Sequence, residues 1–192
     1  MILTLQQKFE VELPAGWREL PPAHVLAVGD WIFEWVEEIG TIPELKPNLI
    51  RALGETADFV LANLSEDRSW VAVIDSADPS RVRGVASIVA LSVDEASERI
   101  SSPKVPVVGS VVWVSERFET TIANFPAVVL HNVGVNNAAG IPELAERYVG
   151  TVFSGDSLVV QLEILAEDLD VFSDIVALGS SVLAGLRFVD EA

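Results

Sequence analysis

The stretch from residue 146 to residue 190 most constrains the fold of this chain. Two apolar runs, residues 147–153 and 158–165, flank the turn-forming cluster Ser-Gly-Asp-Ser, a pattern typical of a β-hairpin. Side chains of a strand alternate between two faces. In the second run one face is wholly aliphatic, with Leu158, Val160, Leu162 and Ile164. Such a face has to be covered by another element, so the sequence predicts a hairpin with a packed layer on one side.

A helix that could provide this cover is predicted at residues 170–183. Apolar residues recur there at helical spacing: Leu169, Phe172, Ile175, Val176, Gly179, Val182, Leu183 and Leu186. Asp170 is the predicted N-cap, Asp174 falls in the positive first turn, and Gly185 is the predicted C-terminal stop. A short last strand, residues 186–189, is predicted to return to the sheet.

The remaining segments indicate further strands and two more helices. Gly29 would weaken a helix by ~1 kcal/mol relative to Ala, so the first helix is expected to be limited to residues 30–39. The polar segment 94–106 is interpreted as a surface connection. The predicted fold is therefore α+β, a single domain (1–192) with an antiparallel sheet of roughly five to seven strands flanked by helices. Strands are predicted at 8–13, 70–74, 81–93, 107–118 and 127–135, and helices within 22–39 and 48–64.

Composition excludes several classes of function. The chain has 12 basic and 29 acidic residues, a net charge of −17, which would repel nucleic-acid phosphates and anionic membrane surfaces. It has no cysteine, which excludes disulfides, thiol nucleophiles and cysteine-based zinc sites and fits a reducing compartment. Residues 1–9 lack the basic and apolar regions of a signal peptide. We expect a cytoplasmic protein without a nucleic-acid or membrane partner.

The sequence contains no recognisable catalytic or ligand-binding motif. His131 alternates with Val129 and Val133, so it is interpreted as a hydrogen-bonded core or edge residue, and His24 as a surface residue. A cluster of acidic side chains lacks the interleaved glycine of a calcium loop and is interpreted as capping and solvated residues. No phosphate-binding loop or Gly-x-Ser-x-Gly motif occurs. We therefore predict no catalytic residue, metal site or cofactor. The acidic cluster comprises Glu163, Glu167, Asp168, Asp170 and Asp174.

Five tryptophans are many for 192 residues. Core packing is the usual role of such residues, but tryptophan is also enriched where protein partners bind. Trp31 and Phe33 fall off the apolar stripe of the first helix, whereas Trp35 lies on it. That helix is apolar on more than one side, so it is either deeply buried or presents its additional apolar side chains to a partner. The predicted partner-binding residues are Trp31, Phe33 and Trp35.

The two ends of the chain resemble the PsbP/DcrB-like superfamily, which includes LpqN-type lipoproteins, Ran-binding relatives and chaperones for secreted effectors. The resemblance rests on the pattern Phe9-x-Val11-x-Leu13-Pro14-x-Gly16-Trp17 and on the closing hairpin, helix and strand that ends in Leu186-Arg187-Phe188. It implies an α/β/α sandwich around an antiparallel sheet and mostly non-enzymatic binding roles. No catalytic residues are transferred, because the superfamily has no shared catalytic motif. The chain departs from the lipoproteins in lacking a lipobox cysteine, and residues 22–64 have more predicted helix than in many relatives.

Three hypotheses of function follow from these observations. The first is a non-catalytic protein-binding or adaptor module, chaperone-like in role, whose partner is another protein or a second copy of this chain. The second is a carrier of a small apolar ligand held in a cavity between sheet and helices. The third is a carboxylate-dependent hydrolase, which would need a cleft where acidic groups or His131 converge.

Overall fold

A computed structural model describes residues 2–5, 9–20, 28–39, 43–44, 46–62, 68–74, 82–101, 111–136, 143–155, 158–166 and 174–188. Ten strands and four helices lie in these ranges. In chain order they are β1 (Ile2–Leu5), β2 (Phe9–Glu12), β3 (Trp17–Glu19), α1 (Val28–Ile39), α2 (Lys46–Ala62), β4 (Arg68–Ile74), β5 (Val82–Leu91), α3 (Val93–Ser101), β6 (Val111–Ile122), β7 (Phe125–Asn136), β8 (Glu143–Phe153), β9 (Val159–Ala166), α4 (Ile175–Ala184) and β10 (Arg187–Phe188).

Seven strands form one antiparallel sheet in the order β3-β4-β5-β9-β8-β7-β6. A smaller sheet has the order β1-β2-β10. The predicted α+β class is thereby confirmed. The central sheet has seven strands, the upper limit of the five to seven that were expected. The last strand was expected to return to the central sheet, but β10 pairs with β2 instead. None of the helices in the described ranges is long and apolar enough to cross a membrane.

The predicted cover of the β8–β9 hairpin is confirmed. Val160, Leu162 and Ile164 of β9 form one buried cluster with the α4 residues Ile175, Val182 and Leu183, so α4 packs on the aliphatic face. The start of the helix was placed too early. Its N-cap is Asp174, whose Oδ1 accepts a hydrogen bond from the Ala177 amide at 2.8 Å. Asp170 lies outside the described residues. Gly185 is the C-cap, as predicted.

The other three helices pack on the opposite face of the sheet. Successive side chains of β4 alternate between the two faces. Val71 and Val73 belong to the cluster beneath α4, whereas Ala72 packs with α1 and α2 residues. Helix α3 covers Val89 and Leu91 of β5 and Val159 of β9 through its buried Ala96. Helices therefore lie on both faces of the sheet. Both faces of the inner strands are buried, which explains why Ser87 is the only polar residue in 84–91.

Helix α3 replaces part of the surface connection that was predicted for residues 94–106. Its N-terminus is a capping box: the Glu95 carboxylate accepts from the Ser92 amide at 3.0 Å, and the Ser92 hydroxyl accepts from the Glu95 amide at 3.3 Å. The backbone hydrogen bond from Ser92 is the main reason why the pKa of Glu95 lies below its usual value. Residues 102–110 lie outside the described part of the chain.

Strand β6 ends four residues later than predicted, and β7 is longer than predicted at both ends. The two strands form a tight hairpin. Ile122 pairs with Phe125, and the two residues between them, Ala123 and Asn124, both have positive φ, 51° and 68°. Positive φ at both central positions defines a type I′ turn, whose twist suits a two-residue hairpin. The twelve-residue strand β6, whose register with β7 shifts once between Val112 and Val114, lies at one end of the sheet.

Candidate protein-binding surfaces

Helix α1 carries the three residues predicted to bind a partner, and the structure separates them. Phe33 is 60% exposed. Trp35 is only 4% exposed and packs in the cluster with Val36 and Leu53, with the Arg18 guanidinium 5.8 Å from its ring centroid. Its ring therefore has little surface left for a partner. The side chain of Trp31 lies outside the described part of the structure.

Acidic side chains surround Phe33 on the exposed face of α1. Asp30 and Glu37 lie three residues before and four residues after Phe33, which places them beside it on the helix surface. Glu34, the next residue in the chain, is exposed as well, as are Asp30 and Glu37. Lys46 at the start of α2 donates to Glu37 at 2.5 Å. The exposed face of α1 thus presents an aromatic ring bordered mostly by acidic side chains. We call this surface the α1 face (Asp30, Phe33, Glu34 and Glu37).

A second surface is the free edge of the central sheet. In the described ranges β6 is hydrogen-bonded to β7 on one side and to no strand on the other, and residues 114–121 are all exposed. Val114 and Phe118 are 42% and 38% exposed. A long edge strand with exposed apolar side chains is a template for pairing with another strand. We call this surface the β6 edge.

The β6–β7 turn determines which backbone groups face the free side of the β6 edge. In a two-residue hairpin the pair that flanks the turn, here Ile122 and Phe125, is a hydrogen-bonded pair, and such pairs alternate along an antiparallel ladder. Between Val114 and Ile122, where the register with β7 is regular, the even-numbered residues therefore direct their amide and carbonyl groups toward β7. Ser115, Arg117, Glu119 and Thr121 direct theirs outward, where an added strand would meet them.

His131 lies on β7 between two carboxylates from neighbouring strands. Its Nδ1 is 3.3 Å from Glu116 of β6, and its Nε2 is 2.8 Å from Glu146 of β8. Carboxylates only accept, so both hydrogen bonds exist together only when both ring nitrogens carry a proton. Both nitrogens are thus engaged within the sheet. The arrangement suits a side-chain bridge across three strands better than a general base, which needs a nitrogen that can reach a substrate.

We expect His131→Ala to lower the free energy of unfolding by about 1–2 kcal/mol, because it leaves the Glu146 carboxylate without this partner. The Glu146 side chain is only 13% exposed. Glu116→Gln is the matched control: that side chain is 62% exposed, and exposed ion pairs contribute less than about 1 kcal/mol. Urea unfolding followed by tryptophan fluorescence measures both. Equal stability of the two variants would show that the bridge to Glu146 contributes nothing.

The predicted acidic cluster does not assemble into a metal site in the part of the chain that is described. Glu163 accepts from the Arg147 side chain at 2.7 Å, and Asp174 caps α4. Glu167, Asp168 and Asp170 lie outside the described residues. Among those described, no group of three histidine, aspartate or glutamate side chains is arranged to hold a metal ion.

A small cleft lies between α2, β5 and β9. Its volume is about 120 Å³, and its walls include Glu55, Thr56, Val85 and Leu165. Sites for drug-sized ligands have volumes of roughly 300–1,000 Å³ and mostly apolar walls. A cleft of this size and polarity suits a few water molecules and does not favour the carrier hypothesis.

The β6 edge was missed by sequence reasoning, although part of the signal was present. Residues 114–120 alternate between a face with Val114, Glu116 and Phe118 and a face with Arg117 and Glu119, which is a half-exposed pattern. The position of β6 at the end of the sheet depends on pairing between distant segments, which local patterns do not reveal.

Comparison with known proteins finds similarity among solved structures. No protein-family model matches the chain, and no curated protein matches it. Among solved structures, the fold is similar to that of LpqN of Mycobacterium tuberculosis, described as involved in cell envelope biogenesis, with a TM-score of 0.45 and 16% sequence identity. The match covers 94% of this chain and 83% of that one.

Proposed function

We propose that this protein is a non-catalytic binding or adaptor module whose α1 face recognises a basic protein partner. The observation that carries the proposal is the 60% exposure of Phe33 on a helix whose other face is packed into the core. Aromatic residues, phenylalanine among them, are enriched in protein–protein interfaces relative to the rest of the surface. Membership of the PsbP/DcrB-like superfamily and a cytoplasmic location belong to this proposal as well.

The border of the α1 face specifies the chemistry of the partner. Asp30, Glu34 and Glu37 present carboxylates around the ring, and the whole chain carries −17. A partner that fits would have an apolar pocket for Phe33 bordered by lysine or arginine side chains. Complementary charge of this kind accelerates association and excludes acidic proteins.

The test compares three immobilised proteins: the unsubstituted chain, Phe33→Ala and Phe118→Ala. Each is exposed to a lysate of the source cells, and retained proteins are quantified by mass spectrometry. We expect at least one basic protein to be retained by the unsubstituted chain and by Phe118→Ala but lost with Phe33→Ala. Phe118 is the matched control because it is also a partly exposed phenylalanine, on a different element.

Direct titration of that retained protein, once purified, completes the test. We expect Phe33→Ala to raise its dissociation constant at least about tenfold, and added salt to slow its association with the unsubstituted chain. The proposal fails if every retained protein binds Phe33→Ala as well as it binds the unsubstituted chain.

A further inference from the structure

We propose that two copies of this protein associate through their β6 edges. The two strands would pair antiparallel around a two-fold axis that passes through Phe118, which would join the two seven-stranded sheets into one. This self-association uses a different element from the α1 face and does not depend on the function proposed above. The proposal rests on the geometry and the charge sequence of β6.

Symmetry restricts the possible registers. Residues directly opposite each other in an antiparallel pair point to the same face of the sheet. In a symmetric pair of identical strands, the axis must therefore pass through a residue, because an axis between residues would place side chains of opposite faces against each other. The exposed segment 114–121 thus offers only a handful of registers.

Charge selects one of them. With the axis at Phe118, Arg117 of each copy lies opposite Glu119 of the other, which gives two ion pairs on one face. On the other face the two Phe118 rings meet, and Glu116 lies opposite Thr120. Opposite charges and aromatic pairs stabilise a sheet when they lie directly across from each other. Within one chain Arg117 already reaches Glu119, at 3.7 Å, with both side chains exposed.

The neighbouring registers are disfavoured by the same rule. An axis at Glu116 or Glu119 would oppose two glutamates, and an axis at Arg117 would oppose two arginines. Like charges directly opposite each other destabilise a strand pair. Charged residues often protect an edge strand from unwanted pairing, and here they exclude these three registers while leaving the Phe118 register self-complementary.

The outward-facing backbone amide and carbonyl groups of β6 also fit this register. Arg117 and Glu119 belong to the outward-facing residues of β6, as do Ser115 and Thr121. These four would form hydrogen-bonded pairs with their counterparts, with about eight inter-strand hydrogen bonds in all. The Phe118 pair is then a non-hydrogen-bonded pair, in which the side chains lie closest.

The chain contains no cysteine, so single introduced cysteines report the register directly. In the proposed dimer the Cα atoms of the two Phe118 positions are about 4.5 Å apart, within the range for a disulfide. Phe118→Cys should therefore form a covalent dimer rapidly under mild oxidation. Glu116→Cys and Thr120→Cys should not dimerise alone, because identical positions would be about 13 Å apart. A mixture of these two variants should form the mixed dimer.

Charge reversal provides a second, independent readout. By analytical ultracentrifugation at ~0.15 M salt, where the Debye length is ~8 Å, we expect a concentration-dependent dimer. Arg117→Glu should raise its dissociation constant about tenfold. The exchange Arg117→Glu with Glu119→Arg should restore it. Arg51→Glu changes the net charge equally from an exposed site on α2 and should have little effect, and Phe33→Ala should have none.

The proposal is overturned if the unsubstituted chain stays monomeric at high concentration, or if Phe118→Cys crosslinks no faster than Glu116→Cys alone. It is also overturned if the charge exchange fails to restore the dimer. Far-UV circular dichroism confirms that each variant is folded, which is expected because all the substituted positions are exposed. A monomer with normal Phe33-dependent binding would refute this inference alone and leave the proposed function intact.

Discussion

Gly179→Ala is expected to destabilise the protein by about 2 kcal/mol, while Gly54→Ala, the same change in another helix, is expected to stabilise it by up to ~1 kcal/mol. A Cβ on Gly179 would lie well within 3.0 Å of the Tyr148 ring, whereas a Cβ on Gly54 would meet nothing within 4 Å. Both substitutions gain the same helix propensity. The difference between their effects on the free energy of unfolding therefore measures the cost of the contact between the new Cβ and the Tyr148 ring.

The Tyr148 ring cannot easily move aside. It is fully buried, and on its other side Gly150 approaches so closely that a Cβ there would also overlap the phenol group. The ring thus fills a slot between two glycines, one on β8 and one on α4. Interiors packed this tightly respond to an added methyl group with strain and backbone shifts.

Urea unfolding of the two glycine variants measures the prediction, and a double-mutant cycle tests its cause. If the clash is responsible, Tyr148→Leu should reduce the cost of Gly179→Ala by at least about 1 kcal/mol, because a smaller side chain leaves room for the added carbon. A Gly179→Ala variant as stable as Gly54→Ala would show that α4 can shift without cost, contrary to the packing described above.

Unfolding free energy is also expected to fall by about 2 kcal/mol between pH 10 and pH 12 because of Tyr148. Burial raises the pKa of Tyr148 to about 12, and the 3.4 Å contact with the Ser180 hydroxyl opposes this only weakly. The unfolded chain loses the phenol proton near pH 10. In this window the folded state binds more protons than the unfolded state, so stability falls as pH rises. Below pH 10 both states are protonated and the effect disappears.

Tyr148 is the only tyrosine of the chain, which makes the measurement specific. Ultraviolet absorbance of tyrosinate should appear in the folded protein only near pH 12 or when the protein unfolds. Tyr148→Phe keeps the ring and should remove this part of the alkaline loss of stability. Tyrosinate absorbance rising near pH 10 while circular dichroism remains native would contradict the burial of the phenol group.

Local patterns were sufficient for the β8–β9 hairpin and for the helix that covers it. The wholly aliphatic face of residues 158–165 and the helical spacing after residue 174 leave few other ways to bury that face. The start of α4 was misplaced because Asp170 and Asp174 are equally good N-caps by residue type. The Asp174 cap is visible only in the hydrogen bond to the Ala177 amide.

Two features could have been predicted more fully. The Ser92-x-x-Glu95 pattern is a capping box that indicates the start of α3, whereas Pro103 and Pro106 in the same polar segment favour a loop. The turn at Ala123 and Asn124 has positive φ at both residues, although alanine rarely adopts it. The usual Asn-Gly signal is absent, and the strand predicted to end at residue 118 continues to Ile122.

Features that depend on distant pairing could not be predicted from local sequence. The exposure of Phe33 and the burial of Trp35, in contrast, depend on local spacing and agree with the predicted apolar stripe of α1. The engagement of His131 by carboxylates on both sides does not, because it needs the registers of β6, β7 and β8 together. The free edge of β6 likewise depends on the order of all seven strands.

The order of strands in the central sheet also bears on how the chain reaches this structure. Strand β6 pairs with β7, β7 with β8 and β8 with β9, so the association of these four strands closes only short loops. Strand β5, in contrast, pairs with β9 and encloses the other three strands in one large loop. Closing a large loop costs more entropy before contacts compensate for it. We therefore expect β6, β7, β8 and β9 to associate first. The pairing of β5 with β9 should then be the step that limits the folding rate.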